Sequence, residues 1–308
     1  MRITFIQTAD STVYSQFLNV TSATVKEICS RQGHSYECFI GIKRGSRPWH
    51  AALNRLPILK SYVDQGYDGW VIYLDADAYI ADVDFDVANY LATKSEFAMI
   101  AAGSGLEPPR WWDINNGVFA INLGHPKGRM IAELWNAALL AVPEDELKAE
   151  QKWGDVIDDQ AALHKILRDN ETVLEPVLYR DDKAPRVFNW YGSFIRQYVR
   201  ETGDFEKRLA ALKEGVAESL NGFVEVEQFD DRQETPEQRA VRYQVCDEVA
   251  EAIYRGILNR EPDEGGLDAV KHKLRHRITT FENEFRSCVS SAEFERRFQE
   301  ILERARQN

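Results

Sequence analysis

The chain has 308 residues, 44% hydrophobic and 29% charged, with 18 Gly and 10 Pro. That length and balance give a globular protein with a sizeable core, in one large domain or two unequal ones. No run approaches the roughly 20 apolar residues of a membrane-spanning helix. The formal net charge is −12, and a field of that sign repels phosphate backbones, which argues against a nucleic-acid partner.

Residues 3–7 (ITFIQ) turn polar too soon for a secretory leader and read as a first strand, so a cytoplasmic location is expected. Residues 14–31 carry Phe17, Val20, Val25 and Ile28 at helical spacing. Residues 36–42 are strand-like. Residues 49–63 put Leu53, Leu56, Leu59 and Val63 on a helical stripe with Pro57 inside it. The run 70–74 (WVIYL) is continuously apolar, as in a strand buried on both faces. Strands at 97–101 and 117–122 and a helix at 130–141 follow. This alternation predicts an α/β fold with a mostly parallel central sheet.

Farther along, the pattern predicts a helix at 159–167, a strand at 172–178, an aromatic stretch at 187–194 and a helix at 205–220. Residues 230–240 are polar, contain Pro236 and lack apolar periodicity, which marks a linker. Segments 245–258, 265–275 and 281–288 then read helical, with a last charged helix capped by Ser291. The expected organisation is an α/β domain over 1–229, a linker over 230–240 and a small all-α domain over 241–308. Nearly all the net negative charge precedes residue 232. Cys29, Cys38, Cys246 and Cys288 show no Cys-x-x-Cys spacing and read as inert thiols of a reducing compartment.

The sharpest chemical signal is Asp75-Ala76-Asp77, directly after the buried run. Alternate residues of a strand share a face, so two carboxylates two apart point the same way at its C-terminal end, where ligands of open α/β sheets bind. Two hard oxygen ligands suit Mg²⁺ or Mn²⁺ together with substrate phosphates.

The segment 70–80 (WVIYLDADAYI) resembles the DxD segment of metal-dependent GT-A glycosyltransferases, in particular the retaining families eight and thirty-four. Three further segments match in order: 49–59 with Asn54 and Arg55, Asn115-Asn116-Gly117-Val118 with the strand after it, and Asp158-Asp159-Gln160. The resemblance implies a nucleotide-sugar donor, a glycan or lipid-linked acceptor, metal assistance by Mn²⁺ or Mg²⁺ and retention of anomeric configuration. It implies Asp75 and Asp77 as metal ligands, with Ala76 and the Thr8-Ala9-Asp10 turn at the nucleoside. Asp159, Gln160 and Asn116 would face the reacting sugars, and Arg44, Arg47 or Arg55 would offset donor charge. The families' late histidine ligand is missing; the similar segment 188–192 offers Asn189 or Tyr191 instead, with His125 and His164 as alternatives. Trp111 and Trp112 offer a stacking platform for an acceptor sugar. Residues 254–267 and 290–294 resemble a small bacterial helical domain of unknown function, whose expected role is docking to a protein or at the membrane. The rival expectations are a sugar nucleotidyltransferase and a non-catalytic protein that kept the fold.

Overall fold

A computed structural model of the chain describes residues 1–106, 108–182, 186–189, 192–197, 204–220, 236–257 and 264–275. The chain divides into two compact units, Met1–Val224 and Glu225–Asn308.

The first unit opens with β1 (Ile3–Ala9), α1 (Ser15–Gln32) and β2 (Ser35–Ile40). The predicted helix over 49–63 is two pieces: a 3₁₀ turn, Pro48–Asn54, and α2 (Arg55–Asp64). Pro57 thereby falls in the first turn of α2, where its missing N–H costs nothing. The apolar run is β3 (Trp70–Asp75), followed at once by β4 (Ala78–Ile80), which the sequence pattern did not reveal. Next come α3 (Val87–Ala92), β5 (Met99–Gly103), β6 (Ile114–Asn122) and α4 (Pro126–Leu140). Helix α4 starts four residues before its predicted position because His125 accepts from Lys127 N as its N-cap and Pro126 suits the first position.

After α5 (Glu144–Ala149) and α6 (Asp159–Asp169), the predicted strand over 172–178 is corrected. It is a helical turn, α7 (Glu171–Leu174), then a 3₁₀ turn, Glu175–Val177, and only then β7 (Leu178–Arg180). The β-branched pair Thr172-Val173 is overridden because Val173 N and Leu174 N both find Asn170 O, and Pro176 then ends the helical turns. The unit closes with β8 (Ile195–Gln197) and α8 (Phe205–Leu220).

The main sheet has the order β2-β1-β3-β6-β5-β7. Only β6 runs against its neighbours; β1, β2 and β3 are mutually parallel, as are β5 and β7. Both faces are apolar. Ile6, Val71, Tyr73, Phe119 and Ile121 join Leu56, Leu59, Trp135 and Leu139 in one cluster. Phe5, Ile72, Leu74, Val118 and Ala120 join Val25 and Ile28 in the other. Covering both faces explains why the central strand reads as an unbroken apolar run. A second, two-stranded sheet pairs β4 with β8, antiparallel.

Among the described residues, the second unit contains α9 (Pro236–Ala252), a π turn, Ile253–Ile257, and α10 (Glu264–Arg275). Pro236, expected in the linker, instead opens α9, a place its fixed φ favours. Cys246, Ala250 and Leu274 form a small core, and Arg275 Nε meets Asp247 Oδ1 at 2.7 Å. The helices expected at 281–288 and from Ser291 lie outside the described residues, as do Tyr191 and most of 230–240. No helix among the described residues is long and apolar enough to cross a membrane.

In the first unit, the apolar stripe of α8 (Leu209, Leu212, Val216) is covered by Phe17 and Leu18 of α1, with Phe205 stacked on Phe17 at 4.5 Å. A chain ending at residue 229 is therefore expected to stay soluble and monodisperse, and its melting is expected to remain cooperative. Aggregation of that fragment would show that the first unit depends on the rest of the chain.

Candidate active site

The registers Thr8↔Asp75 and Leu74↔Val118 bring three strand ends to one edge: the C-terminal ends of β1 and β3 and the start of β6. A cavity of about 380 Å³ opens there. From β1 it takes Thr8 and Ala9, from the end of β3 and the turn after it Asp75, Ala76 and Asp77, and from α2 Arg55. Asn116 from β6 and Asp159 and Gln160 from the first turn of α6 complete the predicted residues that line it.

The two DxD carboxylates converge, but strand alternation is not the cause, because β3 ends at Asp75 and Asp77 sits in the turn. That turn is held from below. The fully buried Gln7 places its Nε2 3.1 Å from Ala78 O and 3.4 Å from Asp75 O, and Thr21 Oγ1 donates to Ala76 O at 2.9 Å. Carbonyls tied in this way fix the carboxylates above them before any ligand arrives. Gln197 of β8 lies opposite Ala78, and its Nε2 donates to Asp75 Oδ2 and Asp77 Oδ1, each at 3.0 Å. Asp75 Oδ1 also meets Arg55 Nη2 at 3.2 Å and accepts from the Tyr73 hydroxyl at 3.2 Å. Asp77 Oδ2 is paired with Arg208 of α8.

Burial pushes the Asp75 carboxyl up to about 6 against the pull of Arg55. It raises Asp77 and Asp159 as well, against Arg208 and Arg55 respectively. Burial pulls Arg55 down, but the charges of Asp159, Tyr73 and Asp75 outweigh it and leave the guanidinium held protonated. The cluster is a low-dielectric box of acids and cations, the kind of place where perturbed groups mark function.

The second half of the site hangs on α6. Asp158 caps that helix, accepting from Gln160 N and Ala161 N, and Trp135 Nε1 holds Asp159 O at 2.8 Å. The Asp159 carboxylate, 2% exposed, accepts from Asn116 Nδ2 at 2.9 Å and meets Arg55 Nε at 3.2 Å. Gln160 Oε1 accepts from Asn116 N at 3.2 Å. Gly117 keeps this arrangement undisturbed: a Cβ on it would lie 2.5 Å from Gln197 Oε1 and 2.7 Å from Asp75 Oδ2 and would push those side-chain ends aside.

Several expectations are corrected. Asp10 does not line the cavity; its carboxylate accepts from Thr12 N, Thr12 Oγ1, Val13 N and Tyr14 N and so holds the turn after β1. Asn189 is also absent from the lining and adopts a left-handed φ of 68°, which Asn tolerates better than most residues. Arg55 lines the cavity but is engaged by Ala52 O, Asn116 O and two carboxylates, which makes it an internal counter-charge. Arg44 binds Leu139 O and Val142 O, and Arg47 binds Glu150 O. His125 caps α4 and His164 is hydrogen-bonded at Ile114. Trp111 and Trp112 pack against the core instead of lining the cavity, with Arg168 over the Trp112 ring.

The aromatic lining residues are Tyr14, Trp49, Tyr73 and Trp153, which sequence reasoning missed along with Gln197 and Arg208. The sequence signal for Trp49 was its place at the head of the matched segment 49–59; for Gln197, at the end of a three-residue strand, there was none.

Trp49 is fixed by a buried pair beneath it. His50 Nδ1 accepts from Ser46 N and Arg47 N, so Nε2 carries the proton and meets Glu150 Oε2 at 2.7 Å. Trp49 Nε1 donates to that same oxygen at 3.0 Å, and Val156 N donates to Oε1 at 3.0 Å. Burial raises the Glu150 pKa, but these hydrogen bonds outweigh it and the net shift is downward. Glu150→Gln turns an NH₂ toward one of the three donors and is expected to cost about 1–3 kcal/mol in denaturant unfolding at neutral pH. A depressed folded-state pKa stabilises above the unfolded carboxylate value, and that stabilisation disappears as pH falls through the folded one. The gap between variant and wild type should therefore close as pH drops below about 4. An unchanged denaturant midpoint would show that the pair does not support the wall.

No protein-family profile matches the sequence, and no curated protein is detectably similar. Among solved structures, a glycosyltransferase involved in glycosylating the major capsid of PBCV-1 aligns over 70% of this chain and 100% of its own, with a TM-score of 0.51 and 13% identity. The fold is GT-A. Drosophila β-1,4-galactosyltransferase 7, solved as a mutant with manganese, UDP-Gal and xylobiose, aligns at a TM-score of 0.37 and 11% identity, over 65% of this chain and 72% of that one. The glycosyltransferase GlyE of Streptococcus pneumoniae aligns at 0.32 and 14%, over 68% and 63%. Among the described residues no cluster of three or more His, Cys, Asp or Glu side chains suits a metal ion.

Proposed function

We propose that the first unit is a glycosyltransferase that moves a sugar from a nucleotide-sugar to a glycan or lipid-linked saccharide, assisted by Mn²⁺ or Mg²⁺, with retention at the anomeric carbon as in families eight and thirty-four. The observation that carries this reading is the meeting of Asp75, Asp77, Asn116, Asp159 and Gln160, from three separate stretches of chain, in one cavity at the strand ends of a GT-A sheet. The donor set suits the metal. Two carboxylates converge on one buried amide, and the oxygen of that amide, Gln197 Oε1, has no partner among the described residues. Asp75 and Asp77 would hold the cation, and a bound cation supplies positive charge to the departing nucleoside diphosphate.

The protein's own groups do the rest. Thr8 and Ala9 line the wall expected to receive the nucleoside, with Thr8 Oγ1 fixed on Ala51 O at 3.1 Å. Asn116, locked between Asp159 and Gln160, presents a rigid polar edge to the sugars. Asp159, paired with Arg55, is placed to offer negative charge where a glycosyl centre becomes positive. Tyr14, Trp49 and Trp153 supply flat faces that exclude water and stack on sugar rings. The helical domain expected over 241–308 is assigned to docking, at an acceptor-bearing protein or a membrane surface, and the compartment is taken as the cytoplasm.

The deciding assay incubates the full chain with UDP- and GDP-sugars and Mn²⁺ and follows release of nucleoside diphosphate. Slow hydrolysis of one donor, lost on chelation, is the expected result; no release from any donor would move the protein to the non-catalytic reading. That second reading has one observation behind it, since Arg55, Arg208 and Gln197 already engage both DxD carboxylates. For the chain ending at residue 229, donor hydrolysis is expected at the full-length rate, because every cavity-lining residue among those described precedes the cut.

A further inference from the structure

Gln197 is the residue of the cavity whose role nothing above explains. Strand β8 is short, and its register with β4 sets Ile195 opposite Ile80 and Gln197 opposite Ala78. Ile195 and Gln197 point inward, at 0% and 9% exposure, while Arg196 between them is exposed. A glutamine side chain driven into an acidic cavity by strand alternation must satisfy both ends of its amide. Its nitrogen does so twice, on Asp75 and Asp77. Its oxygen is buried without a partner among the described residues, and an orphaned buried carbonyl costs about 1–3 kcal/mol.

We propose that Gln197 is the third protein ligand of the divalent cation, binding through its side-chain oxygen beside Asp75 and Asp77. This rests on the metal-assisted reading above. Half a turn of the terminal amide exchanges its nitrogen and oxygen without changing its shape. The oxygen then stands about 3.0 Å from both carboxylate oxygens, where the nitrogen now is. Adjacent ligands of an octahedral Mg²⁺-type site, with metal–oxygen bonds of about 2.1 Å, are likewise about 3.0 Å apart. The cation would then give the oxygen the partner it now lacks. A neutral amide oxygen is a hard ligand suited to Mg²⁺ or Mn²⁺. Gly117 leaves the space beside that position open, since a Cβ there would lie 2.7 Å from the site now held by Nε2. Gln197 thus fills the post for which the sequence offered Asn189.

A purely structural role predicts the opposite sign. If Gln197 only donates to the carboxylates, it competes with the cation, and removing it should strengthen metal binding. The test is titration of the full chain with Mn²⁺ alone, followed by loss of the free-ion electron paramagnetic resonance signal, for wild type, Asp77→Ala, Gln197→Leu and Gln197→Glu. The melting curve of each in chelator confirms that it is folded. Gln197→Leu keeps the volume without the oxygen and is expected to weaken Mn²⁺ binding by about 10–100-fold, within the range for lost support of a metal site. Gln197→Glu restores an oxygen and is expected to bind at least as tightly as wild type, and it serves alone if the leucine variant does not fold. Binding by Gln197→Leu equal to or tighter than wild type, with Asp77→Ala silent, overturns the ligand role and leaves the metal reading standing. Weaker binding by Gln197→Glu than by wild type likewise overturns the ligand role. No Mn²⁺ binding by wild type overturns both.

Discussion

Replacing Asp77 by Ala is expected to lower metal-dependent transfer by about 10³-fold or more, since removing a ligand deprives the departing diphosphate of charge stabilisation worth several kcal/mol. Donor binding in the presence of Mn²⁺ should weaken in parallel, whereas binding of the nucleoside alone should not. The geometry adds a cost that strand position alone does not suggest. Asp77 is only 8% exposed and is paired with Arg208 and Gln197. Its loss removes one acceptor from each of two buried donors, which should reduce stability by about 1–3 kcal/mol. Asp77→Asn separates the two effects, because it keeps the volume and an acceptor oxygen while giving up the charge. Nucleoside diphosphate release and urea unfolding measured on both variants check this. Transfer by either variant within tenfold of wild type, still dependent on Mn²⁺, would remove this carboxylate from the metal site.

Asp159→Asn should act on kcat. The carboxylate is held by Asn116 Nδ2 and Arg55 Nε, so its position is set before substrate binds. An interaction that matters chiefly as positive charge develops on the sugar lowers turnover and spares the donor KM. A fall of about 10²–10³ in kcat is expected, the size found when one preorganised electrostatic partner is removed. Folding should suffer less than the 3–5 kcal/mol typical of a broken buried ion pair, because Arg55 retains Asp75 as counter-charge. Single-turnover measurement at saturating donor gives the relevant rate. An unchanged kcat with a raised KM would make Asp159 a ground-state contact only.

The sequence by itself determined the α/β class, the buried central strand and nine of the 21 lining residues. The physical reason is local. A run such as Trp70–Leu74 can be apolar throughout only if both faces are covered, and carboxylates that follow it must emerge at the ligand-binding edge of the sheet. In the same way, Asp158 ahead of Asp159-Gln160 is a helix start legible from residue type. What only the tertiary structure decided depends on partners distant in the chain. Arg55 reads as a phosphate contact until two carboxylates and two carbonyls are found around it. Asp10 reads as a ribose contact until four local donors are seen to occupy it. Gln197 carries no signal at all, since its meaning arises 120 residues away at Asp77, through a three-residue ladder too short to leave a periodic pattern. Side-chain type and spacing report the face a residue shares with its neighbours in sequence; the charges and donors that saturate it, or leave one of its atoms wanting, are set by the packing of strands and helices that are remote in the chain.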